Sequence, residues 1–309
     1  MNKNIYRYFL LFIAAFIWGS AFVAQRVGMD SIGPFTFLCV RSIIGHLFLI
    51  PVACICAAIR KNNKKHSDNQ ISINEADIRK NSIVGGLYCG LILFAASSLQ
   101  QIGICYTTAG KSGFITALYV VLVPLTGIFL KKKNPATIYF AVALAVTGLF
   151  FLCIEKGNDN FLRLGLGEGL TLLCAVFFTL HILVIDYFSP KADGVAMSCV
   201  QFFVVSILAG VSMTIFETPD ITGIKEATFP ILYAGIMSSG IAFTFQIIGQ
   251  KGTNPTITSI IMCLESVFSV LTGYIILHEE LTVRHLAGCI FMFAAILMSQ
   301  IPAKAKTSK

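Results

Sequence analysis

A chain of 309 residues of which 56% are hydrophobic and 12% charged, with a mean hydropathy of +0.80, is far more apolar than a soluble domain, where charged residues run to about 25%. The composition excludes a single water-soluble core and points to an integral membrane protein. A net charge of +8 would suit nucleic acid or acidic lipid, but the placement of the basic residues along the chain gives them another meaning.

A helix needs about 20 predominantly apolar residues to cross the hydrocarbon of a bilayer, and ten segments qualify. The first, residues 8–27, follows a basic lead like that of a signal peptide. It lacks a convincing small-x-small cleavage site and nine more apolar segments follow, so it is expected to be retained as a membrane helix. Trp18, the only Trp, sits in its middle beside Gly19 and Ser20. Tryptophan usually belongs to the interfacial belt, so this one is a candidate cavity wall or a wedge against small residues. The second segment, 34–59, carries Arg41, which could attract a carboxylate or phosphate, pair with a buried acid, or snorkel outward. Residues 60–80 are polar and are expected to form a loop.

The third segment, 82–105, ends on Gln100 and Gln101. The fourth, 110–130, carries Tyr119, and the fifth, 136–154, is uniformly apolar. The sixth, 165–185, holds His181, a proton site or a packing residue, with Gln201 expected near it from the seventh, 195–216. The eighth, 229–249, holds Gln246, and amides at such positions suit gates, cavity hydrogen bonds or interhelical bonds. The ninth, 255–277, carries Glu265 near its middle, and the tenth spans 284–302. A charge at membrane depth costs at least about 2.5 kcal/mol, so such a side chain faces protein, water or a ligand. Glu265 is therefore the leading candidate, to bind a substrate amine or exchange a proton for substrate. The structural alternative is a carboxylate held by neighbouring hydroxyls. Glu279 and Glu280 are expected to cap or solvate a tight turn.

With the N-terminus inside, most of the 23 Lys and Arg residues fall on the inner side of the ten segments. That asymmetry places both termini in the cytoplasm and accounts for the basic loops without nucleic acid. The ten cysteines lie almost wholly in apolar runs without a CxxC pair, so packing is favoured over disulfides or metal. No phosphate-binding GxxxxGK[ST], HExxH or nucleophile motif occurs, and no cofactor or metal is expected.

The chain also aligns with itself. Gln100-Gln101-Ile102-Gly103 lies on Gln246-Ile247-Ile248-Gly249, and the same offset puts Tyr119 on Glu265 and Leu125-Thr126-Gly127 on Leu271-Thr272-Gly273. Nearer the N-terminus a longer offset places Cys39-Val40-Arg41 on Cys199-Val200-Gln201. Five segments per copy is an odd number, so the copies enter the membrane from opposite sides. The expected architecture is all-α: ten transmembrane helices as two inverted five-helix repeats, residues 1–154 and 155–309. Such repeats build two gates around a midplane site.

Trp18-Gly19-Ser20-Ala21-Phe22-Val23, Gly33-Pro34-Phe35 and Arg41, with Leu264-Glu265-Ser266-Val267-Phe268 and Leu277-His278-Glu279-Glu280-Leu281-Thr282 leading to Gly288, resemble the EamA family of the drug/metabolite transporter superfamily. The family pattern is followed with Ser266 in place of Pro, His278 of Gly and Glu280 of Arg, while Lys131-Lys132-Lys133-Asn134-Pro135 departs from a Gly-Glu-Arg turn. The resemblance implies a plasma-membrane secondary transporter that exports small organic solutes such as amino acids or metabolites by alternating access, without ATP. It implies a cavity lined by helices 1, 3, 4, 6, 8 and 9, with helices 5 and 10 as scaffold. Candidate binding or coupling residues are Glu265, Tyr119, Trp18, Arg41, Gln100, Gln246 and His181, with protons a candidate coupling ion. An oligomer has no support in the sequence. A lipid-head-group flippase, for which Arg41 would matter most, and an intramembrane enzyme on lipid-linked substrates are the alternatives.

Overall fold

The computed structural model describes residues 3–65, 75–106, 109–129, 135–153, 165–277 and 281–299, and among them there is no strand. The first half supplies α1 (Lys3–Gly28), α2 (Pro34–Lys65), α3 (Glu75–Tyr106), α4 (Ala109–Ala117), α5 (Tyr119–Phe129) and α6 (Ala136–Cys153). The second supplies α7 (Leu166–Phe188), α8 (Gly194–Phe216), the short α9 (Ile221–Glu226), α10 (Thr228–Tyr233), a π-helical stretch (Ala234–Ala242), α11 (Phe243–Gln250), α12 (Pro255–Met262), α13 (Leu264–Leu277) and α14 (Val283–Ser299). Among the described residues seven spans are long and apolar enough to cross a membrane, and three shorter apolar helices accompany them. Their outward faces carry Phe9, Phe16, Leu47, Ile55, Leu91, Phe140 and Val211 fully or half exposed, as lipid contact requires.

Local chemistry explains the boundaries. Pro34 and Pro255 stand at first helical positions, where a missing N–H removes nothing from the helix. Asp193 accepts from Ala196 N at 2.8 Å to start α8, and Asn254 accepts from Thr256 N at 2.8 Å to start α12. Helix α2 continues to Lys65 because nothing in residues 60–65 stops it, and α3 starts early, with Glu75 and Asp77 in its first turn. The expected loop at 60–80 is therefore helical at both ends; residues 66–74 lie outside the described residues. So do Lys131 to Lys133, His278, Glu279 and Glu280.

Three segments expected to be continuous are not. The fourth breaks between α4 and α5 at Leu118, the ninth between α12 and α13 at Cys263, and the eighth passes through the π-helical stretch. Each break frees backbone groups that hydrocarbon cannot satisfy, so it is tolerated only inside the protein. The two breaks serve one another: the Cys263 thiol donates to the Ala117 carbonyl at the end of α4, 3.6 Å away.

Contacts define the two ends of the bundle. At the N-terminal end Arg7 meets Gly249 and Gly252, and Arg60 pairs with Asp193, whose N–H donates to Ser82 Oγ. At the far end the Glu217 carboxylate accepts from Phe35 N, Thr36 N and Thr36 Oγ1 at 2.6–2.8 Å, while the end of α3 meets the start of α7 through Gly103 and Thr171. Helix α2 packs on α8, α6 on α14, α3 on α7 and α8, and α1 on α13 and on residues 228–250. Small residues permit these approaches. A Cβ on Gly86 or Gly90 would stand 2.6 Å from Val200 Cβ or Val204 Cβ of α8, the close backbone contact that membrane helices use in place of a hydrophobic driving force.

Candidate functional site

Between the helices lies a cavity of about 50 Å³. Each wall is written in the sequence at helical spacing, so that residues three or four apart share a face. Helix α1 contributes Trp18, Phe22 and Gln25, α3 Ser97 and Gln100, α7 Phe178 and Ile182, and α4 and α5 Thr116 and Tyr119. Residues 228–250 contribute Ser238, Phe243 and Gln246, and α12 and α13 Met262 and Glu265. Helix α2 adds Arg41, one helix more than the six the family resemblance implies.

Glu265 sits in the first turn of α13, just past the Cys263 break, and is 8% exposed. Tyr119 stands at the start of α5, just past the Leu118 break, and donates its Oη to Glu265 Oε1 at 2.9 Å. Among the described residues the Tyr119 hydroxyl is the hydrogen-bond partner found for Glu265, on Oε1. Gln100 Nε2 approaches Thr116 Oγ1 at 3.4 Å, beside the pair.

Arg41 is 4% exposed, and its Cζ lies 6.0 Å from the Phe37 ring centroid. Among the described residues no carboxylate comes within 4.0 Å of it, so the neutralising pair with Glu265 that sequence reasoning allowed is not formed. Its Nε is buried without a partner, as are Trp18 Nε1 and Gln246 Oε1. Buried polar atoms are almost always satisfied by protein, water or ligand, and these three all line the cavity. The Trp18 ring is held against Phe243 by a T-shaped contact at 4.7 Å.

The structure thus brings Glu265, Tyr119, Trp18, Arg41, Gln100 and Gln246 to one cavity. His181 stays behind it: its Nε2 meets Gln201 Oε1 at 2.8 Å, and its ring touches Phe243 at 6.0 Å. Sequence reasoning passed over Phe22, Gln25, Ser97, Phe178, Ile182, Ser238, Phe243 and Met262. A readable signal existed for most of them, since they lie three or four residues from a residue already singled out, as Trp18, Phe22 and Gln25 do. Among the described residues no cluster of His, Cys, Asp and Glu could hold a metal ion, and the nine described cysteines are free thiols.

Comparison with known proteins now has a geometry to explain. The family described as the EamA-like transporter family matches residues 5–154 and 165–300. An uncharacterized transporter of Archaeoglobus fulgidus is 28% identical over 302 residues, covering 96% of this chain and 87% of the relative. The uncharacterized transporter YoaV of Bacillus subtilis is 25% identical over 297 residues, 92% of each chain. A solved crystal structure shares the fold with a TM-score of 0.72 at 15% identity, over 95% of this chain and 96% of that one.

Proposed function

Since the chain belongs to the EamA-like transporter family, within the drug/metabolite transporter superfamily, and is a multi-pass membrane transporter, we propose that it moves a small organic solute through the central cavity by alternating access between two inverted five-helix repeats. The observation that carries this reading is the hydrogen bond between Tyr119 and Glu265, which stand 146 positions apart. That is the offset that aligns the two halves of the sequence, and the Cys263–Ala117 bond has the same separation. Residues exchanged by a two-fold axis can touch one another only near the axis. The cavity lining supports the same axis: Gln100 with Gln246, Ser97 with Phe243 and Thr116 with Met262 obey that offset. Trp18 with Phe178 and Phe22 with Ile182 obey the longer one that aligns Cys39 with Cys199. The family match in two stretches, 5–154 and 165–300, accords with it.

The favoured solute carries both charges, such as an amino acid or a related metabolite. Arg41, buried without an ion pair, would receive a carboxylate, and Glu265 an amine. The aromatic walls would take an apolar body. Glu265 is also the group through which a proton would be exchanged for solute. Export across the plasma membrane, with both termini cytoplasmic, accords with the basic residues at the N-terminal end. Reconstitution in liposomes with counterflow of labelled amino acids and metabolites tests the reading, and exchange of at least one ampholyte is expected. Movement or turnover of a lipid substrate, with no solute exchange across a broad panel, would replace it with the head-group flippase or the intramembrane enzyme. Cysteine labelling at Lys191 and Asp220, both exposed and at opposite ends, checks the topology: the two must label from opposite faces.

A further inference from the structure

At the far end of the cavity Gln101 Nε2 donates to Gln25 Oε1 at 2.6 Å. We propose that this amide pair is a latch across the far-end mouth of the cavity, and that its breaking admits or releases solute on that side. The inference rests on the transport reading.

Three features separate a latch from an ordinary interhelical bond. First, Gln25 lines the cavity, and both residues are buried, at 6% and 0% exposure. Second, α1 packs on α13 and residues 228–250, whereas α3 packs on α7 and α8, so the backbones of α1 and α3 scarcely approach. Two long side chains therefore bridge helices that packing does not join. Third, Gln101 Oε1 is buried with no partner. The closed pair leaves one acceptor unsatisfied, and water or solute entering the mouth would satisfy it. That makes the closed arrangement readily opened.

The positions that the two offsets assign to Gln25 and Gln101 are Ile185 and Ile247. Both are fully buried, in an apolar cluster with Cys89, Ala192 and Met197 at the N-terminal end. The same place in the two halves thus holds an amide pair at one end and apolar side chains at the other, where the nearby Gln250 Nε2 donates to the Ile182 backbone carbonyl at 2.6 Å.

The test needs no substrate. Ser97 lines the cavity and is 2% exposed. Ser97→Cys is labelled with a membrane-impermeant cationic thiol reagent in vesicles of both orientations, with the parent chain as background. Gln25→Leu and Gln101→Leu should each raise the labelling rate from the far face about fivefold, a factor of the size one net hydrogen bond supports, with no change from the N-terminal face. Gln25→Glu keeps an acceptor for Gln101 Nε2 and should stay near the parental rate, whereas Gln101→Glu removes the donor and should label fast. If the Leu variants fail to accumulate, the two Glu variants decide. Rates within twofold of the parent in all variants, or equal rates in the two Glu variants, would show a scaffold bond and overturn the latch. Acceleration from the N-terminal face alone would also overturn it while leaving the transport reading intact. No labelling from either face in any variant would remove both.

Discussion

Toward the end nearest Gly28 and Tyr106 lie Gln25, Gln101 and the guanidinium of Arg41, whereas toward Phe188 and Gln250 lie the apolar cluster of Cys89, Ile185, Ala192, Met197 and Ile247 and the bond from Gln250 to the Ile182 carbonyl. Between them stands the Tyr119–Glu265 pair. Hydrating an apolar seal exposes its whole surface at roughly 25 cal/mol per Å², while exchanging an amide–amide bond for amide–water bonds changes the free energy by only about 0.5–1.5 kcal/mol. On the latch proposal, the N-terminal end would therefore be the harder of the two to hydrate.

The largest effect should come from the centre, where the two ends meet. Glu265→Gln keeps shape and a hydrogen bond to Tyr119 but removes the charge. Counterflow in proteoliposomes should fall about 10- to 100-fold, the worth of a hydrogen bond to a charged group, and any dependence of flux on an imposed pH gradient should vanish. Normal flux with an unchanged gradient response would reduce Glu265 to a strut between α5 and α13. Next in size is Arg41→Gln, which gives α2 the side chain found at the aligned position, Gln201. Affinity for solutes bearing a carboxylate should drop about tenfold, while purely cationic solutes keep theirs. Equal losses for both classes would mean that Arg41 acts through packing.

The apolar end can be broken by making it resemble the other. Ile185→Gln places an amide in the apolar cluster, where an unsatisfied polar group costs about 1–3 kcal/mol. The variant should melt earlier in detergent and should admit the impermeant thiol reagent to Ser97→Cys from the N-terminal face. An unchanged melting point with no new labelling would mean that this cluster is not the seal. As a control on packing, Gly19→Ala would put a Cβ 2.4 Å from Phe268 Cβ and 2.7 Å from the Glu265 carbonyl, and should destabilise by about 1–3 kcal/mol. Gly169→Ala, with nothing within 4 Å, should not.

Much of this was legible in the sequence for a physical reason. An apolar run long enough to span hydrocarbon admits little besides a helix, and an acid such as Glu265 inside one must face the interior. The alignment of Tyr119 with Glu265 is readable in the sequence, whereas the hydrogen bond between them is not. The breaks at Leu118 and Cys263 and the π-helical stretch at Ala234–Ala242 were not legible. Neither Leu118 nor Cys263 is a residue that breaks helices, and the freed backbone groups are satisfied by tertiary partners such as the Cys263 thiol. Gln25 went unread because it was weighed alone; as the third member of the Trp18–Phe22–Gln25 face it was available. The separation of Arg41 from Glu265 could not be read from composition, since opposite charges in an apolar chain invite pairing and only the tertiary arrangement keeps them apart.

The smallest effect is expected at His181, and its size tests whether that side chain takes part in any proton coupling. His181 is fully buried between α7 and α8, bonded to Gln201 and separated from the cavity by the Phe243 ring. A protonated imidazole there would need an anion, and among the described residues none pairs with it. His181→Gln offers an amide N–H to Gln201 Oε1 in place of the ring, so the interhelical bond is kept and only the titrating group is lost. Flux and its response to a pH gradient should then stay within about twofold of the parent, since one preserved neutral hydrogen bond leaves little to lose. Loss of the gradient response in this variant, with Glu265 intact, would move the coupling site from the axis of the two halves to the second half alone.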